Sequence, residues 1–197
     1  MKRLMFAATL SLLNAACVTP VSPLDDYEQV TATGIFDAPH ATVVAPEDRE
    51  AIARGRYLVE LLGCGSCHTD GALIGEPNME RWLAGSRVGI AYSNPLEYRR
   101  PGIVFPPNIT PDDETGIGTW SDRQIAAAVR AGSGRHGKGR ILVMPWQGYS
   151  KISDNDIMAI VGYLRRIEPV PFRVPENVPP GRRTSERYVH FGVYQSR

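Results

Sequence analysis

The pentapeptide Cys64-Gly-Ser-Cys67-His68 constrains this chain more than any other feature. Two thiols three residues apart on a turn of helix face the same side, and the histidine follows at once. This C-x-x-C-H run is the attachment signature of a c-type haem. Each thiol would form a thioether with a haem vinyl group, and His68 would be held beneath the iron as the fifth ligand. The second ring nitrogen of His68 then needs a hydrogen-bond acceptor to orient it. A redox dithiol is the rival reading, because C-G-S-C also resembles a thioredoxin-type site. Those sites follow a strand and open a long helix, whereas this one follows a helical stretch (ARGRYLVELLG) and opens a glycine-rich loop. A structural zinc site wants a second Cys or His pair at ligand spacing, and the sequence holds none.

The third cysteine, Cys17, makes the count odd, so the cysteines do not form a pure disulfide framework. It follows a charged start (Lys2, Arg3), an apolar run from Leu4 to Leu13 and the small pair Ala15-Ala16, the layout of a bacterial export signal. The run is too short to span a bilayer as a mature helix. A cysteine directly after the cleavage region resembles a bacterial lipoprotein, which makes Cys17 a candidate lipid anchor. Asn14 departs from the aliphatic residue that motif prefers, and plain cleavage near Ala15 or Ala16 is the alternative. Export places the protein in the periplasm of a Gram-negative bacterium, held at the membrane if Cys17 is acylated.

The 197 residues suggest one domain with appendages. Lys and Arg number 22 against 21 Asp and Glu, a net charge of +1, which gives no footprint for nucleic acid. With 19 Gly and 16 Pro the fold should be rich in loops. The expected layout is a signal over 1–17, a tether over 18–45, a haem domain over 46–168 and an extended Pro-rich tail over 169–197. An amphipathic helix is predicted from Pro46 through Ile52, Tyr57, Leu58, Leu61 and Leu62 to a stop at Gly63. A second begins at Ser121 with Gln124 three later, carries Ile125, Ala128 and Val129, and stops at Gly132. A third begins at Ser153, and Ile157, Ile160, Val161, Leu164 and Ile167 form its buried stripe before Pro169. The stretches 69–119 and 132–152 show no alternating strand pattern. Loops of that length need an organiser, and a prosthetic group would supply it.

The sixth iron ligand is expected to be Met144, within Ile141-Leu142-Val143-Met144-Pro145-Trp146, where Pro145 would fix the backbone presenting the sulfur. Met79 lies only eleven residues past His68, Met158 sits in the last helix, and Met1 and Met5 leave with the signal. His136, in GSGRHGKGR, is the rival and would give bis-histidine iron. A thioether ligand raises the reduction potential relative to a second histidine.

Over residues 50–176 the chain resembles the class I cytochromes c, and in particular the single-haem domains in cytochrome subunits of bacterial membrane-associated dehydrogenases. The resemblance rests on Gly55-Arg-Tyr-Leu58 leading into Cys64-Gly-Ser-Cys-His68-Thr69, and on Pro107-Asn-Ile-Thr-Pro-Asp112 with Thr115-Gly-Ile-Gly118 and Trp120-Ser121-Asp122. Met144-Pro145, Tyr163-Leu-Arg165 and Pro169-Val-Pro complete it. It implies an all-α fold whose terminal helices cross, with Gly55 and Tyr57 near Tyr163. It also implies one covalent haem c with His68 and Met144 as axial ligands, and haem-edge packing by Asn108, Thr110 and Trp120. The basic, aromatic stretch around 91–101 departs from the family pattern and is a candidate docking loop or a plain surface loop.

With both axial positions filled, the expected role is that of an electron carrier rather than an enzyme, cycling iron between Fe(III) and Fe(II). The donor would be a dehydrogenase and the acceptor another cytochrome or a terminal oxidase. A haem enzyme or gas-binding sensor with a labile sixth ligand is the alternative. The loop cations Arg130, Arg135, Lys138 and Arg140 would either steer an acidic partner or simply be solvated.

Overall fold

In a computed structural model the structure describes residues 37–42, 44–94, 100–134 and 143–191. The signal, Cys17, most of the expected tether, residues 95–99, and the loop holding Arg135, His136, Lys138 and Arg140 lie outside the described residues.

Two helices make the frame. A 3-10 turn over Pro46–Asp48, with a proline and two acids in its first turn, leads into α1 (Arg49–Leu61). After α2 (Cys64–His68), α3 (Asp122–Ala131) and α4 (Trp146–Tyr149) comes α5 (Asp154–Leu164). The caps read from sequence are in place. Ser121 and Gln124 form a reciprocal capping box, Gly132 closes α3 in the left-handed conformation, and the Ser153 hydroxyl accepts from the Asp156 N–H.

Helix α5 buries Ile157, Ile160, Val161, Tyr163 and Leu164, the stripe predicted with Tyr163 added. Helix α1 buries part of the predicted stripe, with Gly55 and Val59 in place of Tyr57 and Leu61. Ile52, Gly55, Leu58 and Val59 point inward, while Tyr57 and Leu61 are 50% and 64% exposed. The helix crossing decides this. A Cβ on Gly55 would stand 2.0 Å from the Ala159 carbonyl oxygen and 2.9 Å from the Tyr163 Cβ, so the two backbones meet at the one residue without a side chain. The end of the expected tether packs on this pair. Ala38 is buried, its N–H donates to the Glu60 carboxylate, and the Tyr163 hydroxyl donates to the Pro39 carbonyl at 2.8 Å.

The stretch from 69 to 119 is not structureless. It turns through 3-10 segments at Ala72–Ile74 and Met79–Arg81 and contributes β1 (Gly89–Ala91) and β2 (Ile103–Val104), which pair antiparallel with Ile90 opposite Val104. The tail supplies β3 (Tyr188–Val189), parallel to β1, in the order β2-β1-β3. The all-α expectation is therefore corrected: the fold is helix-rich with a small sheet. Strands of two or three residues are too short to display an alternating pattern, and all three residues of β1 are buried, which removes the polar alternates. Before reaching β3 the tail is fastened to the sheet, with Val178 exchanging backbone hydrogen bonds with Ile103 and the Asn177 amide accepting from the Phe105 N–H.

Arg165, just past α5, fastens the loop that precedes α3. Its guanidinium donates to the carbonyls of Ile117, Gly118 and Trp120 and pairs with Asp122 at 3.0 Å. Replacing it by alanine strands several carbonyl acceptors at once. With charge-assisted bonds worth about 1.5–3 kcal/mol, Arg165→Ala should lower the unfolding free energy by about 2 kcal/mol in urea titration. Lysine, a single-point donor, should recover only part of that.

Candidate functional site

The site begins where α1 stops. Gly63 adopts a left-handed conformation (φ 67°), which α1 cannot propagate, and the chain turns at once into α2, the Cys64–His68 helix itself. Gly65 is the only residue type that fits the first spacer: a Cβ there would lie 2.2 Å from the Trp82 ring. The buried Trp82 thus fixes the floor beneath the motif.

Cys64 and Cys67 are unpaired thiols. Burial pushes the Cys64 thiol up to about 12 and raises that of Cys67, so both are neutral at physiological pH. The ring of His68 is anchored by Nδ1, which lies 2.8 Å from the Pro107 carbonyl oxygen. A carbonyl only accepts, so Nδ1 carries the proton and Nε2 of the neutral ring presents its lone pair. Burial lowers the pKa of His68, with the bond to Pro107 opposing it, and the neutral form is the one that ligates metal.

Thiols, imidazole and Met144 open on one cleft of about 500 Å³, counting its mouth. Cys64, Cys67 and His68 form one wall. Val143, Met144 and Pro145 belong to the same cleft, with Ile90 and Val104 from the sheet, Pro106 and Pro107, and Tyr149. The Met144 segment is held by its neighbours. Trp146 packs against Gly132, where a Cβ would come within 2.6 Å of the indole, and the Tyr149 hydroxyl donates to the Leu62 carbonyl at 2.8 Å. The sequence therefore pointed to four residues that do line one cleft. Asn108, Thr110 and Trp120 are not among the cleft's lining residues. Asn108 and Thr110 are buried and bonded to each other behind Pro107, and Trp120 packs on the hydrophobic core.

Sequence reasoning required an acceptor for the second histidine nitrogen without naming it. The acceptor is a backbone oxygen, and no side chain announces it. Tyr149 and the two strand residues were likewise missed, because only the fold brings them to the motif.

The donor set fits a covalently held haem: two neutral thiols on one helical turn, an imidazole with its lone pair fixed, and a mainly apolar cleft carrying a thioether. Comparison with known proteins agrees. The chain is 29% identical over 148 residues (75% of its length, 28% of the relative's) to the fructose dehydrogenase cytochrome subunit of Gluconobacter japonicus. It is 33% identical over 137 residues (68% and 25%) to the cytochrome c subunit of the quinone alcohol dehydrogenase of Gluconobacter oxydans. The chain is a c-type cytochrome. A diheme cytochrome c-type protein of Cereibacter sphaeroides is 35% identical over 127 residues, 63% of this chain and 36% of that one. No family model matches the sequence. The chain spans about a quarter of the length of the dehydrogenase cytochrome subunits it matches. Haem c is the group this kinship implies, and electron transfer is the general role it carries. No helix among the described residues is long and apolar enough to cross a membrane.

Proposed function

We propose that this cytochrome is a periplasmic carrier of single electrons, holding one haem c through thioethers at Cys64 and Cys67 with His68 and Met144 as axial ligands. The haem supplies a one-electron couple at iron, and the protein supplies ligation, burial and an edge for the partner. The observation that carries this reading is the His68 ring. Its Nδ1 is committed to the Pro107 carbonyl at 2.8 Å, and the cleft it adjoins also holds both thiols and Met144. Filling both axial positions leaves no site for a substrate. Each thiol would add across a haem vinyl group, its hydrogen going to one vinyl carbon as sulfur bonds the other.

By analogy with the relatives the donor is a dehydrogenase, and a one-electron carrier of this kind would pass the electron to another cytochrome or a terminal oxidase. The export signal and Cys17 put the chain outside the cytoplasm, tethered by a lipid, with residues 46–168 as the haem domain. The ligand set is tested by spectroscopy of the purified oxidised protein. Met144→Ala should lose the weak far-red charge-transfer band of thioether-ligated haem, and His136→Ala should keep it. The opposite pattern moves the sixth ligand to His136.

A further inference from the structure

We propose that Asn108 is a positioning residue for His68, acting through the Pro107 carbonyl, with Val170–Phe172 of the tail as its outer anchor. The proposal rests on the haem reading above. The acceptor oxygen belongs to the planar Pro107–Asn108 peptide group, so whatever fixes Asn108 also orients that carbonyl. Asn108 is only 3% exposed, and its side-chain amide has every hydrogen-bonding valence used. Its Nδ2 donates to the Thr115 Oγ1 at 2.9 Å and to the Val170 carbonyl at 2.8 Å. Its Oδ1 accepts from the Thr110 N–H at 2.9 Å and the Thr110 hydroxyl at 2.7 Å.

The tail closes the ring of bonds. The Val170 N–H donates to Thr110 Oγ1 and the Phe172 N–H to Thr115 Oγ1, both at 3.1 Å. On the inner side the Ser86 N–H donates to the Pro106 carbonyl and the Ile109 N–H to the Leu83 carbonyl. Leu83 is buried with a positive φ of 57°, a conformation only firm surroundings keep in a leucine. Residues 106–110 are thus gripped on both edges. The tail, expected from the sequence as an extended Pro-rich segment, becomes part of the support of the proximal histidine.

A partner on the far nitrogen of a ligating histidine raises its basicity, and a more basic ligand favours the oxidised metal. Loosening the Pro107 carbonyl should therefore raise the midpoint potential. In Asn108→Ala holoprotein we expect an upward shift in the midpoint, with the His68 Nδ1–H proton resonance moving upfield and exchanging faster. Thr115→Val, which keeps the asparagine but removes the oxygen taking both its amide and the Phe172 N–H, should give a smaller shift of the same sign. It also decides the matter if Asn108→Ala does not fold. Ser121→Ala removes a helix cap that shares no hydrogen bond with the Asn108 network and should lose stability with an unchanged midpoint. Wild-type midpoint and Nδ1–H resonance in both Asn108→Ala and Thr115→Val would overturn the proposal. Failure of the haem reading itself would show separately, as a wild-type protein without a c-type spectrum.

Discussion

Gly55→Ala should destabilise the protein by about 3 kcal/mol or more, against the sign expected for a helix interior. Glycine to alanine at an exposed helical position gains about 1 kcal/mol. Here the added methyl would lie 2.0 Å from the Ala159 carbonyl oxygen and 2.6 Å from its carbon, both backbone atoms of the facing helix. Neither atom moves without shifting α5, and overpacking that forces side-chain and backbone shifts costs about 1–3 kcal/mol, occasionally more. The residues that would separate include Tyr163, Ile160 and Val59, each no more than 1% exposed. At about 2–4 °C per kcal/mol for a chain of this size, the melting temperature should fall by about 6–12 °C. Differential scanning calorimetry of the holoprotein reads this directly. An unchanged or higher melting temperature would mean that the helices do not meet at Gly55.

The second large effect belongs to the motif thiols. Cys64→Ala together with Cys67→Ala should abolish covalent haem, so that denaturing electrophoresis followed by haem staining shows no band where the wild type shows one. Each single variant should retain at most one thioether. The loss should extend beyond colour. The cleft of about 500 Å³ lies against α2, the sheet and the Met144 segment, and without its occupant these elements face an apolar space rather than packed atoms. The double variant should therefore also unfold at lower denaturant than the wild-type holoprotein, since a thioether-bonded haem remains on the unfolded chain but is buried and ligated only in the folded one. Equal stability of the two would mean that the cleft closes by itself.

What could be read in the sequence was whatever depends on local chemistry. The C-x-x-C-H run, the caps at Ser121 and Ser153, the stop at Gly132 and the stripe of α5 are each written within a few residues, and the structure shows the helices and caps where the spacing put them. What could not be read depends on contacts between distant segments. The buried face of α1 is set by the approach of Ala159 to Gly55, about a hundred residues away along the chain, so Tyr57 and Leu61 face out although their type suggests burial. The sheet joins fragments of two or three residues, and one of its strands comes from the tail. The acceptor for His68 is a main-chain oxygen, and its setting depends on Asn108, Thr110, Thr115 and Val170 being brought together. The resemblance to the class I cytochromes c implies that Asn108 and Thr110 pack at a haem edge. In the fold their polar atoms are engaged with the loop and the tail behind Pro107.

The central claim is that one haem is bonded to both motif cysteines. Mass spectrometry of the protease fragment containing Cys64 and Cys67, taken from protein produced in a host with the haem-attachment machinery, tests it most directly. A single added haem mass with neither thiol open to alkylation is expected. A fragment of unmodified mass whose two thiols both alkylate would contradict it.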